Sequence, residues 1–493
     1  MPTTPLLRTL LSLPLLAAAS LLLAEAPKES DYYVITPIPT PEGALVETSG
    51  IELMPDGKVA VCTRRGEVWM IENAREHPAT EAKWTAFARY LHEPLGLSYR
   101  DGWLYATQRP EVTRMKDLDS DGRADVFESV NSGWGITGDY HEYAFGTRHD
   151  PEGNLYAALC LTGSFSSNTA YRGWTVKITP EGELEPFASG IRSPGGIGYN
   201  AQGDLFYTDN QGTWNGSSSV KHLAYQSFQG NPNGLIWHEI AGEKAGEKPP
   251  HPPYDRESRT VVERENIANY VPPAVMLPHG KIGQSPTAIV ADMSDGRFGP
   301  FAGQTFVGEQ THSQVQRLFF EKVNGVYQGA AFHFLSGFAS GTIGMRLGDD
   351  GILWAGGSNR GWGARGGQKH NFERVNWNGK MPFEVLEMRV QPDGFELEFT
   401  QPADVDTLKD AASYTMQAYT YKYHKEYGSP EVDLVEPKLS VASVSADGTT
   451  VRLIVDPMTK GHVHELDLHG VRNADGFPLL HKTAYYTLNE IPE

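Results

Sequence analysis

A turn glycine followed by an alternating apolar strand recurs six times, and this repeat restricts the fold more than any other feature of the chain. The copies read Gly57-Lys-Val-Ala-Val, Gly102-Trp-Leu-Tyr-Ala, Gly153-Asn-Leu-Tyr-Ala, Gly203-Asp-Leu-Phe-Tyr, Gly303-Gln-Thr-Phe-Val and Gly351-Ile-Leu-Trp-Ala. Five of the six glycines follow Asp, Glu or Gln, pairs that supply the positive φ of a tight hairpin. The intervals are 45, 51, 50, 100 and 48 residues, close to the period of four-stranded propeller blades. The double interval has room for a seventh blade, but Glu247-Lys-Pro-Pro-His-Pro-Pro is loop chemistry. The repeat therefore predicts six blades over residues 27–380, with a long insertion at 239–285. A ring of blades must close or leave an edge exposed. Tyr33 to Thr36 is expected to complete the last blade beside Phe372-Glu-Arg-Val-Asn-Trp377.

After Asn378-Gly-Lys-Met-Pro382 the pattern changes. Val385 to Val390, Phe395 to Phe399, Leu439 to Val444, Val451 to Val455, His464 to Leu468 and Ala484 to Leu488 read as strands of a separate β-sandwich spanning 383–493. The runs Phe395-Glu-Leu-Glu-Phe-Thr-Gln-Pro and Val451-Arg-Leu-Ile-Val resemble bacterial immunoglobulin-like (Ig-like) modules. The aromatic run Tyr419 to Tyr427 is expected to pack against the propeller, with sugar stacking as the alternative. With 52 glycines and 33 prolines, the composition agrees with an all-β chain rich in turns.

Residues 1–26 read as a signal peptide: Arg8, an apolar run from Leu10 to Leu23, then Ala24-Glu25-Ala26 as the cleavage site. The apolar run is short for a membrane span of ~20 residues. The chain is thus expected to be secreted or periplasmic, cut after Ala26 and without a later span. Cys62 and Cys160 are the only cysteines. They occupy equivalent places in two repeats and are expected to be buried thiols. No Cys-x-x-Cys-His occurs, which excludes haem attachment of that kind. The net charge of −19 and the lack of a basic stripe argue against nucleic acid and anionic membranes, and favour cations and neutral ligands.

Asp117-Leu-Asp119-Ser-Asp121-Gly122-Arg123-Ala-Asp125-Val-Phe-Glu128 fits the twelve-residue calcium loop. Oxygens fall at positions 1, 3, 5, 9 and 12, Gly122 makes the turn, and the Arg123 carbonyl serves at position 7. Two carboxylates ~5 Å apart at an effective dielectric of ~20 repel by roughly 3 kcal/mol, a cost a hard dication removes. A structural staple is expected.

Propeller ligands sit over the channel, held by loops at one end of the blades. Candidates at such junctions are His141, Arg192, Asn210, Gln211, Gln310, His312 and Arg360. His279-Gly-Lys281-Ile-Gly-Gln284 follows the insertion as a candidate lid. Each candidate also has a structural reading, His141 as a satisfied core histidine and Asn210 as a turn residue.

His141 followed by Phe145 ahead of a Glu-Gly turn, Arg192-Ser-Pro-Gly-Gly and Asp209-Asn-Gln-Gly together resemble the quinoprotein glucose/sorbosone dehydrogenase propellers, over roughly residues 45–375. The resemblance implies a sugar dehydrogenase using pyrroloquinoline quinone, with His141 taking the hydroxyl proton. It assigns cofactor or substrate contact to Arg192 and Asn210, and to the carbonyls of Gln211–Thr213 a second calcium. The family meets the quinone's three carboxylates with Lys and an Arg-x-Arg pair. The matching stretches here are Gly308-Glu-Gln-Thr-His-Ser and Ala339-Ser-Gly-Thr-Ile-Gly-Met, which hold no cation; Arg360, Arg365 and Lys281 are the available substitutes. Propeller and module also resemble those of large secreted bacterial haem-binding proteins, whose Cys-x-x-Cys-His cytochrome this sequence lacks, which implies either a separate electron acceptor or no electron transfer. Three functions follow: a sugar oxidoreductase, a non-catalytic carbohydrate- or protein-binding propeller, and a calcium-dependent propeller hydrolase. A single channel pocket of ~300 Å3 or more holding His141, Arg192, Asn210 and two cations would favour catalysis.

Overall fold

The computed structural model describes residues 26–254 and 257–493. All six repeat glycines adopt positive φ, from +76° at Gly351 to +92° at Gly153, and each releases the chain into the second strand of an antiparallel four-stranded blade. Those strands are Val59–Thr63, Trp103–Thr107, Leu155–Leu159, Leu205–Asp209, Thr305–Glu309 and Ile352–Ser358. The innermost strands, Thr48–Leu53, Leu97–Arg100, Ala144–Gly146, Pro194–Tyr199, Pro286–Ala291 and Gly344–Leu347, surround a central channel. They converge so closely that some positions admit no side chain. A Cβ on Gly196 would lie 2.5 Å from the Thr287 carbonyl oxygen of the next blade. The fold is a six-bladed β-propeller.

The ring closes as the sequence predicts. Tyr33–Pro37 pairs with His370–Trp377, Tyr33 opposite Trp377 and Thr36 opposite Arg374, so both ends of the propeller share the sixth blade. Tyr33 is buried against Phe298 and Phe334. Cys62 and Cys160 are free and buried. Each thiol donates to a carbonyl just before the innermost strand of the next blade, Cys62 to Pro94 at 3.6 Å and Cys160 to Arg192 at 3.7 Å.

Two expectations are refined. The span 239–285, read as insertion throughout, includes the last strand of blade four. Val275–Leu277 pairs with Ser218–His222 as that blade's outermost strand, and the helices His238–Ala241 and Thr260–Asn266 occupy the excursion before it. A three-residue strand set among Pro272, Pro273 and Pro278 has too short a pattern to be recognised.

The C-terminal module is also not separate. One sheet is ordered Val385–Gln391, Gly394–Phe399, Thr450–Asp456, Lys438–Val444; the other runs Glu431–Val435, Thr415–Tyr423, His462–Asp467, Thr483–Leu488. Phe395, Leu397 and Leu453 pack against Leu466, Tyr486 and Leu488 between them. Thr483–Leu488 then pairs with Val326–Ser336, the outermost strand of blade five, so one sheet continues from propeller into module. Tyr419, Tyr421 and Tyr423 alternate along one strand and are buried against blade four and the insertion. Three such side chains, at about 150–250 Å2 each and ~25 cal/mol per Å2, contribute on the order of 10 kcal/mol to holding the parts together.

The signal peptide expected over 1–26 lies, except for Ala26, outside the described residues. Among the described residues no helix is long and apolar enough to cross a membrane.

Candidate functional site

One end of the channel opens into a cavity of about 420 Å3. It shares Leu95, Phe145, Gly195 and Ile343 with a cavity of about 200 Å3 between the innermost strands. All six blades contribute to its wall. His141, Arg192, Asn210, Gln211 and Gln310 line it together, although up to 169 residues separate them in the chain.

His141 precedes the innermost strand of blade three. Its backbone N–H donates to Asp139 Oδ1 at 2.9 Å, which sets the turn, and the ring lies edge-on to Tyr140 and 5.9 Å from Trp362. Neither ring nitrogen has a hydrogen-bond partner among the described residues, unlike a satisfied core histidine. Burial lowers its pKa; Asp139 opposes this, while Arg192 and Arg109 add to it. The imidazole is therefore neutral at pH 7 and can accept a proton.

Arg192 stands just ahead of the innermost strand of blade four and is 4% exposed. Its Nη1 donates to the carbonyls of Asn210 at 3.2 Å and Gln211 at 2.6 Å. A Cβ on Gly212 would sit 2.1 Å from its Cζ, so the glycine of the Asp-Asn-Gln-Gly turn is what lets the guanidinium lie against the backbone. On the other side the ring of Tyr427, from the C-terminal module, lies 5.1 Å away. The second calcium implied for this turn is corrected by the same contacts. The Gln211 carbonyl is taken by Arg192, that of Gly212 by the Gly428 and Asn215 N–H groups, and that of Thr213 by Asn231 Nδ2.

Asn210 Nδ2 donates to Ser193 and Gln211 Nε2 to Gly216, so both amides brace the turn as well as line the cavity. Gln310 reaches the Ser358 carbonyl of blade six. Arg360 is outside the cavity lining. It bridges Glu47 at 2.7 Å and Glu93 at 3.0 Å, a buried acid of blade one and a partly buried acid of blade two that capture it. Lys281 is likewise taken by Glu431 and Glu465, and Arg365 is exposed outside the lining. The lid candidate contributes His279 and Gln284 to the wall; His312 lies outside the lining, its backbone N–H on the buried carboxylate of Glu309.

Sequence reasoning missed Arg64 and Phe165. Arg64 Nη2 donates to the Tyr143 hydroxyl at 2.9 Å and lies 3.6 Å from Glu93. A signal existed: Arg64, Asn210 and Gln310 each directly follow the second strand of their blade. Phe165, Trp362 and Tyr427 form an exposed aromatic rim, 55%, 50% and 60% accessible.

The pyrroloquinoline quinone implied by the resemblance does not fit these residues. Among the described residues, Arg64 and Arg192 are the only Arg or Lys lining the cavity, and Arg64 already faces Glu93. Three carboxylates would meet one uncompensated cation, and buried unpaired carboxylates cost several kcal/mol each.

In the acidic loop, Asp117, Asp119 and Asp125 bring carboxylate oxygens within 4.8 Å of one another. Asp121 instead caps the Arg123 N–H at 2.8 Å. Glu128 does not join them. It sits in the strand Val126–Asn131 directly opposite Arg114 and pairs with it at 2.6 Å.

A family described as a domain of unknown function, DUF7133, matches residues 56–337, more than half of the chain. The chain belongs to this family. No curated protein matches its sequence. Among solved structures this DUF7133 propeller is similar to a putative oxidoreductase (glucose dehydrogenase) of Thermus thermophilus, at 19% identity and TM-score 0.49, covering 70% of this chain and 99% of that one. It is also similar to the PQQ-bound aldose sugar dehydrogenase of Streptomyces coelicolor, at 15% identity and TM-score 0.46, covering 72% and 100%. The PQQ domain of a pyranose dehydrogenase from Coprinopsis cinerea aligns at 13% identity and TM-score 0.47, covering 70% and 95%. At such distances the function rests on this chain's own side chains.

Proposed function

We propose that this chain is an exported propeller that binds a sugar or sugar-like polyol at the mouth of its channel. The observation that carries the reading is the mixed lining of the cavity. Hydrogen-bonding groups, Gln284, Ser285, Gln310, Thr311 and His141, share it with the exposed rings of Phe165, Trp362 and Tyr427. Aromatic faces cover the C–H faces of a pyranose, and amides and hydroxyls pair with its hydroxyls. Among the described residues no Asp or Glu lines the cavity, so the hydrolase reading lacks the carboxylates that a channel metal needs.

A second reading, oxidation of a sugar alcohol, is favoured by the neutral, unpartnered imidazole of His141. It requires a hydride acceptor held otherwise than the quinone of the resembling family, and a separate electron acceptor. Two accessory features belong to the same proposal. Asp117, Asp119, Asp125 and the Arg123 carbonyl would hold a structural calcium ion. The module's strand order, first-second-sixth-fifth against fourth-third-seventh-eighth, supports an Ig-like fold.

Calorimetric titration of the mature chain with a panel of mono- and disaccharides tests the reading. Binding is expected, and Trp362→Ala with Tyr427→Ala should weaken it at least tenfold while leaving the melting temperature unchanged. Absence of binding to every sugar overturns it. Adding pyrroloquinoline quinone and calcium should give no quinone absorbance change and no dye reduction; sugar-dependent dye reduction would establish the oxidoreductase reading instead.

A further inference from the structure

The cavity reverses the charge of the molecule around it. The chain has 61 acidic against 42 basic residues, yet its cavity is lined by Arg64, Arg192, His141 and His279 and, among the described residues, by no carboxylate. Acids stand behind the wall with oxygens engaged, Asp209 by the Ser193 N–H at 2.8 Å and by Lys221 at 3.0 Å. Glu93 holds Arg64, Arg109 and Arg360. Asp139 accepts from the His141 and Gly163 N–H groups, and Glu309 from those of Gln284, Ser285 and His312. Net charge therefore misrepresents what the site attracts, because a cleft with low-dielectric walls focuses its local charges.

Arg192 is the unsatisfied member. Arg64 has Glu93, but the described partners of Arg192 are the two carbonyls on Nη1, and its buried Nε has none. A guanidinium 4% exposed and without a counter-ion is an arrangement proteins avoid unless an anion arrives. Burial lowers the pKa of both His141 and His279, so the imidazoles add hydrogen bonds and no charge. One uncompensated positive charge remains, beside the Tyr427 ring that stands 5.1 Å from it. Tyr427 is carried in by the C-terminal module, whose backbone pairs with the turn under Arg192: the Gly428 N–H donates to the Gly212 carbonyl at 3.0 Å.

We propose that the ligand is a uronic-acid sugar, whose single carboxylate meets Arg192 while its ring stacks on Tyr427. This rests on the sugar reading above and narrows it. The C-terminal module is then part of the site, and Tyr427 and Arg192 select for an acidic sugar together.

The test compares uronic acids with their own methyl esters on the full mature chain by titration calorimetry, at low and at high salt. The free acid should bind about tenfold more tightly than its ester, the difference expected for one charge-assisted contact, and added salt should shrink that gap. Arg192→Gln should abolish the gap, and Tyr427→Ala should weaken acid and ester alike. Equal affinity of acid and ester overturns this inference and leaves sugar binding intact. Failure of uronic acids and neutral sugars alike overturns the sugar reading and this inference with it. A non-sugar monocarboxylate binding as tightly as a uronic acid would leave an anion site and overturn the sugar. Should Arg192→Gln not fold, because the side chain also braces the Asn210–Gly212 turn, the acid-against-ester comparison on the unaltered chain decides.

Discussion

His141 separates a functional from a structural histidine on one property. Its backbone is fixed by Asp139, while its ring nitrogens have no described partner and face the cavity. Replacing it with Gln therefore breaks no hydrogen bond of the fold, and stability should change by no more than about 0.5 kcal/mol, as for an isolated surface substitution. Sugar affinity, or turnover in the oxidoreductase reading, should fall about tenfold or more. A substantial loss of melting temperature with unchanged ligand affinity would return His141 to the core. At this scale the legible residues were those of one blade. Arg192 and Asn210 lie 18 positions apart at the adjoining ends of neighbouring strands, and their turn chemistry can be read locally. Arg360 was misplaced because the acid that captures it, Glu47, is 313 residues away. Arg64 was passed over because nothing local distinguishes an arginine after a strand; only alignment of the six repeats does so.

Elements follow the same rule. The second strand of every blade was legible because a positive-φ glycine and a full alternating strand coincide, and the closing strand at Tyr33 because it is strongly β-branched and aromatic. Val275–Leu277 has neither mark. The acidic loop shows a pattern and its geometry diverging: the twelve-residue spacing includes Glu128, but that residue lies within a strand, and the ladder directs it to Arg114. Calcium at millimolar concentration should therefore raise the melting temperature by roughly 2–4 °C, reversibly with a chelator. Asp119→Asn should remove the response, whereas Glu128→Gln should leave it in place. A melting temperature indifferent to calcium would reduce the loop to an acidic turn whose oxygens cap its own backbone N–H groups.

At the scale of the molecule, three remote segments meet at His481. Its Nδ1 lies 2.6 Å from Glu384 Oε1 and its Nε2 3.0 Å from Glu29 Oε1. Glu29 Oε2 in turn accepts from the backbone N–H and the hydroxyl of Ser336 at 2.8 Å. The segment before the closing strand, the end of blade five and the C-terminal module are thus tied through one imidazolium. None of this was legible, since the partners are up to 452 residues apart and each residue alone reads as a surface charge. Burial opposes the charge on His481, but Glu384 and Glu29 outweigh it and raise its pKa to about 9 from the ordinary 6.5. Folding therefore favours the protonated form. The stabilisation is complete below pH 6.5, declines between 6.5 and 9, and is absent above. Glu29, whose pKa is lowered by His481 and Ser336 against the effect of burial, loses its share only as pH falls below its ordinary 4.5. The neighbouring His333, pushed down to about 4 chiefly by burial and then by His481, costs stability below pH 6.5 as it resists protonation. The upper limb thus belongs to His481 alone among these three. Between pH 6 and pH 9 the unfolding free energy should fall by about 2 kcal/mol, measured by chemical denaturation. His481→Gln should flatten that limb and lower stability mainly at pH 6; parallel pH profiles for the two proteins would show that the clamp does not hold the three segments together.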